Sequence, residues 1–119
     1  MSLTHKIAVH PKDVIILSLS GKIIAENDFK EVLELIEQKL NQSERKYIID
    51  LADVSHINSS GLNFLLRIFT KIRNKGGEMV VINISKSVEK LLSISKLNSI
   101  FTICADQDEA LNNLNAQEA

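Results

Sequence analysis

Tyr47-Ile48-Ile49-Asp50-Leu51 restricts the fold more than any other stretch of the chain. A run this apolar has no polar face to show to water, so it belongs in a strand covered on both sides, as in the centre of a parallel sheet. Parallel neighbours are joined by long crossovers, usually helices, and the flanking sequence supplies them. From about Glu26, Phe29, Val32, Leu33, Ile36 and Leu40 recur at helical spacing with Glu and Lys between them, the pattern of an amphipathic helix. Leu62, Leu65, Leu66, Phe69 and Ile72 make a second stripe, predicting a helix over about Ser60 to Lys75 that ends before Gly76-Gly77. Met79-Val80-Val81-Ile82 reads as another buried strand, and Val88, Leu91 and Leu92 as a short helix after Ser85-Lys86-Ser87. Ile100 to Cys104 reads as the last strand, and Asp106 offers an N-cap for a final helix carrying Ala110, Leu111 and Leu114.

The start of the chain has a different rhythm. Thr4 to His10 and Val14 to Ser20 are β-branched runs separated by Pro11-Lys12-Asp13, which reads as a hairpin ended by Gly21. An opening hairpin followed by βα units predicts an α/β fold, a mixed β-sheet packed with about four helices. The second helix is expected to bury Leu62, Leu65, Leu66 and Phe69 against the Ile48-Ile49 and Val80-Val81 strands. With 119 residues, the expectation is a single domain over residues 1–119, large enough to hold a core without disulfides or metals.

Charge and cysteine content narrow the function classes. Fourteen Lys and Arg balance fifteen Asp and Glu, and no basic block suggests a nucleic-acid partner. Cys104 is alone and cannot form an internal disulfide, and Met1 to Lys6 lack the apolar run of a signal peptide. No apolar stretch approaches the ~20 residues that span a bilayer, so a reduced, soluble, cytoplasmic protein without membrane insertion is expected. His5, His10, His56 and Cys104 are too scattered for a metal site, and no G-x-S-x-G elbow accompanies the serines. Neither an enzyme, a metal nor a cofactor is expected. Cys104, in an apolar strand, reads as a small core residue.

The informative polar cluster is Asn58-Ser59-Ser60-Gly61-Leu62, placed between the end of the central strand and the first turn of the second helix. Open α/β sheets put sites at this position. A helix start has unpaired N–H groups and a partial positive charge, so Asn58 or Ser59 can cap it and an anion can bind it. The plain alternative is that Asn58 and Ser60 are structural caps. Asn63, Arg67, Lys71 and Lys75 run down the same helix as a polar stripe. That stripe reads either as a solvated face or, at its upper end of Asn63 and Arg67, as part of a partner surface. His56, in the loop before the cluster, could touch the same partner.

This pattern resembles the STAS domain: a short strand ending in Asp-Leu, a loop, then Asn58-Ser59-Ser60-Gly61-Leu62 with Leu65 and Leu66 on the helix. Within that family it most resembles the free-standing anti-sigma factor antagonists. Gly21, Gly76-Gly77, Ser85 to Leu92 and Glu109-Ala110-Leu111 extend the likeness along nearly the whole chain. The resemblance implies an antagonist that binds an anti-sigma factor, itself a serine kinase, and is released when the first hydroxyl residue of the motif is phosphorylated. By position that residue is Ser59, with Asn58, Ser60, Gly61, Leu62, Asn63 and Arg67 around it as the partner surface, and the chain is expected to be a monomer or weak dimer. The alternative within the same resemblance is a constitutive docking or scaffold subunit of a signalling or lipid-transport complex, without phosphorylation.

Two positions depart from the family pattern. Asn58 stands where an aspartate usually precedes the serine, and Gly21-Lys22-Ile23-Ile24 replaces a common Gly-Glu-Leu-Asp run. Lys96 likewise stands where a glycine is frequent before Leu97.

Overall fold

The computed structural model describes residues 3–10, 13–24 and 29–116. Strand β1 (Thr4–His10) pairs antiparallel with β2 (Val14–Ile23), from Thr4 opposite Ser20 to His10 opposite Val14. The turn between them closes with Asp13 N–H donating to the His10 carbonyl (2.9 Å), Asp13 itself being left-handed at φ 63°. Pro11 and Lys12 lie outside the described residues, as do the positions around Glu26 where the first helix was expected to start. Helix α1 (Phe29–Asn41), strand β3 (Lys46–Ile57), helix α2 (Ser59–Asn74) and strand β4 (Glu78–Ile82) follow. Helix α3 (Lys86–Ile94), a 3₁₀ turn (Leu97–Ser99), strand β5 (Thr102–Cys104) and helix α4 (Gln107–Ala116) complete the order.

The five strands lie in the order β1-β2-β3-β4-β5, and every pair after the opening hairpin is parallel. Because successive parallel strands always step to the same side and crossovers are right-handed, the three connecting helices fall on one face. Phe29, Val32, Leu33 and Ile36 of α1, Leu62, Phe64, Leu65 and Ile68 of α2, and Val88 and Leu92 of α3 pack there with Leu17, Ile49, Leu51 and Val81. Phe29 and Phe64 stack with ring centroids 4.3 Å apart and fix α1 against α2. On the other face, Ala110 and Leu114 of α4 cover Val14, Ile48, Val80, Ile82 and Cys104. This double cover explains why Ile48-Ile49 and Val80-Val81 are apolar at consecutive positions.

The structure corrects four expectations. β2 does not end at Gly21 but runs to Ile23; Gly21, at φ 90°, sits at a register shift instead. β3 does not end at Leu51 but continues through Ser55, His56 and Ile57, paired with β2 alone. The buried stripe of α2 is Leu62, Phe64, Leu65, Ile68 and Ile72, whereas Leu66 and Phe69 are only half-buried. Helix α2 also rests on the Ile49 and Val81 side of the sheet, while Ile48 and Val80 face α4. Cys104 is buried in that second cluster, as expected of a small core residue, and burial together with Glu109 and Asp106 pushes its thiol pKa up. Asp106 caps α4, its Oδ1 accepting from the Glu109 N–H (3.0 Å).

Candidate functional site

The Ser59 turn stands where the extended β2–β3 ribbon delivers the chain into α2. Asn58 is the N-cap, in extended conformation, and its Oδ1 accepts from the Gly61 N–H at 2.9 Å. Its carbonyl accepts from the Leu62 N–H (2.9 Å), the first full helical turn. The same side chain reaches the other way: Asn58 Nδ2 donates to the Ile24 carbonyl at 3.3 Å, while Asn58 N–H donates to the Ile23 carbonyl at 3.5 Å. One residue thus joins the start of α2 to the end of β2. A carboxylate at this position could cap the helix but could not donate to Ile24. The two departures from the family pattern, Asn58 and Ile24, are therefore in direct contact.

Gly61 is explained by the same junction. A Cβ there would run into the Ile23 carbonyl oxygen and lie 2.7 Å from Ile57 Cγ1, so only glycine lets the helix sit this close to the strand end. With the Gly61 N–H satisfied by Asn58, the Ser59 and Ser60 N–H groups are the helix-start donors left without intrahelical acceptors. Ser59 is the first helical residue and is exposed; Ser60, the second, is half-buried. The alternatives for the cap thus resolve to Asn58 alone. Among the described residues neither serine hydroxyl has a hydrogen-bond partner. No first-turn acid offsets the positive end of this helix.

The remaining expected residues divide. Leu62 is buried beneath the turn, and Asn63 and Arg67 are exposed one and two turns further along α2. Arg67 lines a groove of about 240 Å³ between α1 and α2 with Phe29, Lys30, Leu33, Glu34, Glu37 and Lys71. In the lower half of the polar stripe Lys71 is half-buried and pairs with Glu37 of α1 at 3.7 Å, whereas Lys75, the C-cap of α2, is exposed as a solvated face requires. His56 is not in a loop but on β3 opposite Lys22. Its neighbour Ile57 packs toward α2, so the strand's alternation turns His56 to the other face of the sheet.

Sequence reasoning passed over Asp50, whose Oδ1 accepts from the Ala52 N–H (2.9 Å) and from Asn83 Nδ2 (3.1 Å). It pins the point where β4 stops and β3 continues. Nothing in the residue pattern announced it, since the bond to Asn83 spans two strands. Among the described residues no group of His, Cys, Asp and Glu could hold a metal, and no helix is long and apolar enough to cross a membrane.

Residues 5–110 match the model of the STAS domain, and the chain belongs to that family. It is similar to the anti-sigma F factor antagonist of Paenibacillus polymyxa, 29% identical over 105 residues that cover 88% of this chain and 90% of that protein. It is also similar to the anti-sigma-B factor antagonist of Listeria monocytogenes, 30% identical over 105 residues, 87% of this chain and 90% of that one. Among solved structures, an anti-sigma factor antagonist from Mycobacterium paratuberculosis superposes with a TM-score of 0.81 at 23% identity, over 96% of this chain and 95% of the other. That last likeness concerns the fold, and it agrees with the five-stranded mixed sheet and four helices described above.

Proposed function

We propose that this chain is an anti-sigma factor antagonist: a single-domain cytoplasmic binding protein, monomeric or weakly dimeric, whose activity is docking rather than catalysis. Its partner is an anti-sigma factor that is also a serine kinase. The Ser59 turn, with Asn58, Ser60, Asn63 and Arg67 at the surface around it and Gly61 and Leu62 buried beneath as its support, is the docking surface, and phosphate on Ser59 releases the partner. The observation that carries this reading is the exposed Ser59 at the start of α2, capped by Asn58 and seated on β2 through Gly61. A rigid turn presents the hydroxyl without needing it for the fold. The relatives named as antagonists of anti-sigma factors, matched over most of their length, support the partner class.

The physics of the turn supports a switch. Phosphorylation adds about −1.5 to −2 charges, and a helix N-terminus favours negative charge by about 0.3 to 2 kcal/mol. The folded chain therefore tolerates the modification. A partner seated on the turn must desolvate that charge or face it, and each ~1.4 kcal/mol lost weakens binding tenfold. A second reading, a constitutive scaffold subunit, is favoured by one observation: the amide of Asn58 occupies the place of the family's acid and is committed to structural bonds.

The experiment that tests the reading is incubation with ATP and the GHKL-type kinase encoded nearest this gene, followed by fragment mass spectra of wild type, Ser59→Ala and Ser60→Ala. Phosphate on wild type and Ser60→Ala, absent from Ser59→Ala, is the expected result. Phosphate retained in Ser59→Ala but lost in Ser60→Ala would move the acceptor to Ser60. A wild type left unmodified while a control antagonist is phosphorylated would favour the scaffold.

A further inference from the structure

We propose that the outer edge of β1 is a self-association surface, on which a second copy of this chain lays its own β1 antiparallel and centred on Ile7. The inference is independent of what docks at the Ser59 turn.

A sheet with sequential strand order has two edges, here β1 and β5, and among the described residues neither has a strand on its outer side. Such an edge presents backbone N–H and C=O groups to an incoming strand unless something blocks it. The two edges differ in this respect. β5 spans only Thr102–Cys104, and an edge this short offers little to pair with. β1 runs for seven residues, Thr4–His10, in unbroken register with β2 and without a bulge. It holds no Pro, Asp, Glu or Arg, and Lys6 is its single lysine. Apolar surface accompanies the open ladder. Ile7 is half-buried against the core, and Val9, on the same side of the strand, is 57% exposed.

The residue pattern selects the occupant. When a two-fold axis extends the sheet through paired β1 strands, directly opposite residues share a face, so one residue of the strand must face its own copy. Centred on Ile7, the whole of Thr4 to His10 is paired: Ile7 meets Ile7, His5 meets Val9, Thr4 meets His10, and Lys6 meets Ala8. Centring on Lys6 instead sets the two lysines against each other, which is unfavourable, and leaves Val9 and His10 unpaired. Centring on Ala8 leaves Thr4 and His5 unpaired and puts Lys6 opposite His10. A slip of one residue is excluded because it opposes side chains of different faces. The strand is therefore complementary to itself in one register, as a closed contact between identical copies requires. Pairing there joins the two sheets into one, and the reversal of strand direction places the two Ser59 turns at its opposite ends.

The test is sedimentation equilibrium of the full chain over a concentration series, using wild type, Ala8→Lys, Ala8→Glu and the double variant Lys6→Glu/Ala8→Lys. Both side chains are exposed, and thermal unfolding confirms that each variant is folded. Wild type is expected to dimerise as concentration rises. Each substitution at Ala8 acts twice, once on each side of the axis. Ala8→Glu, which sets a carboxylate opposite Lys6, should tighten the dimer about tenfold, and Ala8→Lys should loosen it about tenfold. The double variant, with its charges exchanged, should recover at least the wild-type affinity. A wild type that stays monomeric at every concentration, or dimers of equal strength in Ala8→Glu and Ala8→Lys, would overturn the inference.

Discussion

Asn58 shows how one side chain can hold a junction together, because its two amide atoms serve different elements: oxygen to α2, nitrogen to β2. Gly61 completes the junction through what it lacks. Gly61→Ala is expected to destabilise the fold by about 3 kcal/mol, because the obstruction is backbone carbonyl rather than a movable side chain; urea unfolding measures it. Lys96 departs from the family pattern in the opposite sense. Its φ of 63° is left-handed, the conformation in which glycine is least strained. Lys96→Gly should therefore raise stability by up to about 1 kcal/mol in the same assay, and a loss would show that the Lys96 side chain contributes more than its backbone strain costs. Tyr47, the single tyrosine, is fully buried and donates to the Glu44 carbonyl at 3.0 Å. Burial first, then Glu44, push its pKa up to about 12. Since the folded value lies above the unfolded one, Tyr47 contributes stability that is intact below pH ~10 and is lost as pH rises toward about 12. Tyr47→Phe should remove this part of the alkaline unfolding, and phenolate absorbance should titrate near 12 in the folded chain rather than near 10.

At the scale of elements, α2 carries the clearest test of packing. Phe64 is fully buried and stacks on Phe29, so Phe64→Ala should cost about 3 to 5 kcal/mol in chemical denaturation. Leu66 only borders the core, and Leu66→Ala should cost about 1 to 2 kcal/mol; equal losses would put the register of the helix in question. The same contrast marks what could be read from the residues alone. A 3.6-residue period located α2, but Leu62, Leu65, Leu66, Phe69 and Ile72 describe a stripe rotated from the buried one of Leu62, Phe64, Leu65, Ile68 and Ile72, since Phe64 stacks on Phe29 of α1, whose position periodicity does not report. The strand cores were legible because two-sided burial leaves a continuous apolar signature. The extension of β3 from Ala52 to Ile57 was not, because it pairs with β2 alone and exposes Asp53, Ser55 and His56. The motif Asn58 to Leu62 was found at its true place, yet the bridge from Asn58 to Ile24 spans 34 residues and leaves no local trace.

On the scale of the whole molecule, the three crossover helices share one face because the strand order is sequential, and among the described residues α4 is the helix that covers the other. The Ser59 turn lies at the end of this sheet, built on bonds that do not use the Ser59 hydroxyl. Charge at Ser59 should therefore change what binds without changing what folds. The most direct measurement is calorimetric titration of the anti-sigma kinase into the unmodified chain and into the chain phosphorylated at Ser59, with thermal unfolding of both forms recorded alongside. A phosphate switch at Ser59 requires binding of the unmodified form, at least about tenfold weaker binding of the phosphorylated form, and nearly equal unfolding temperatures. Equal affinities for the two forms would contradict it.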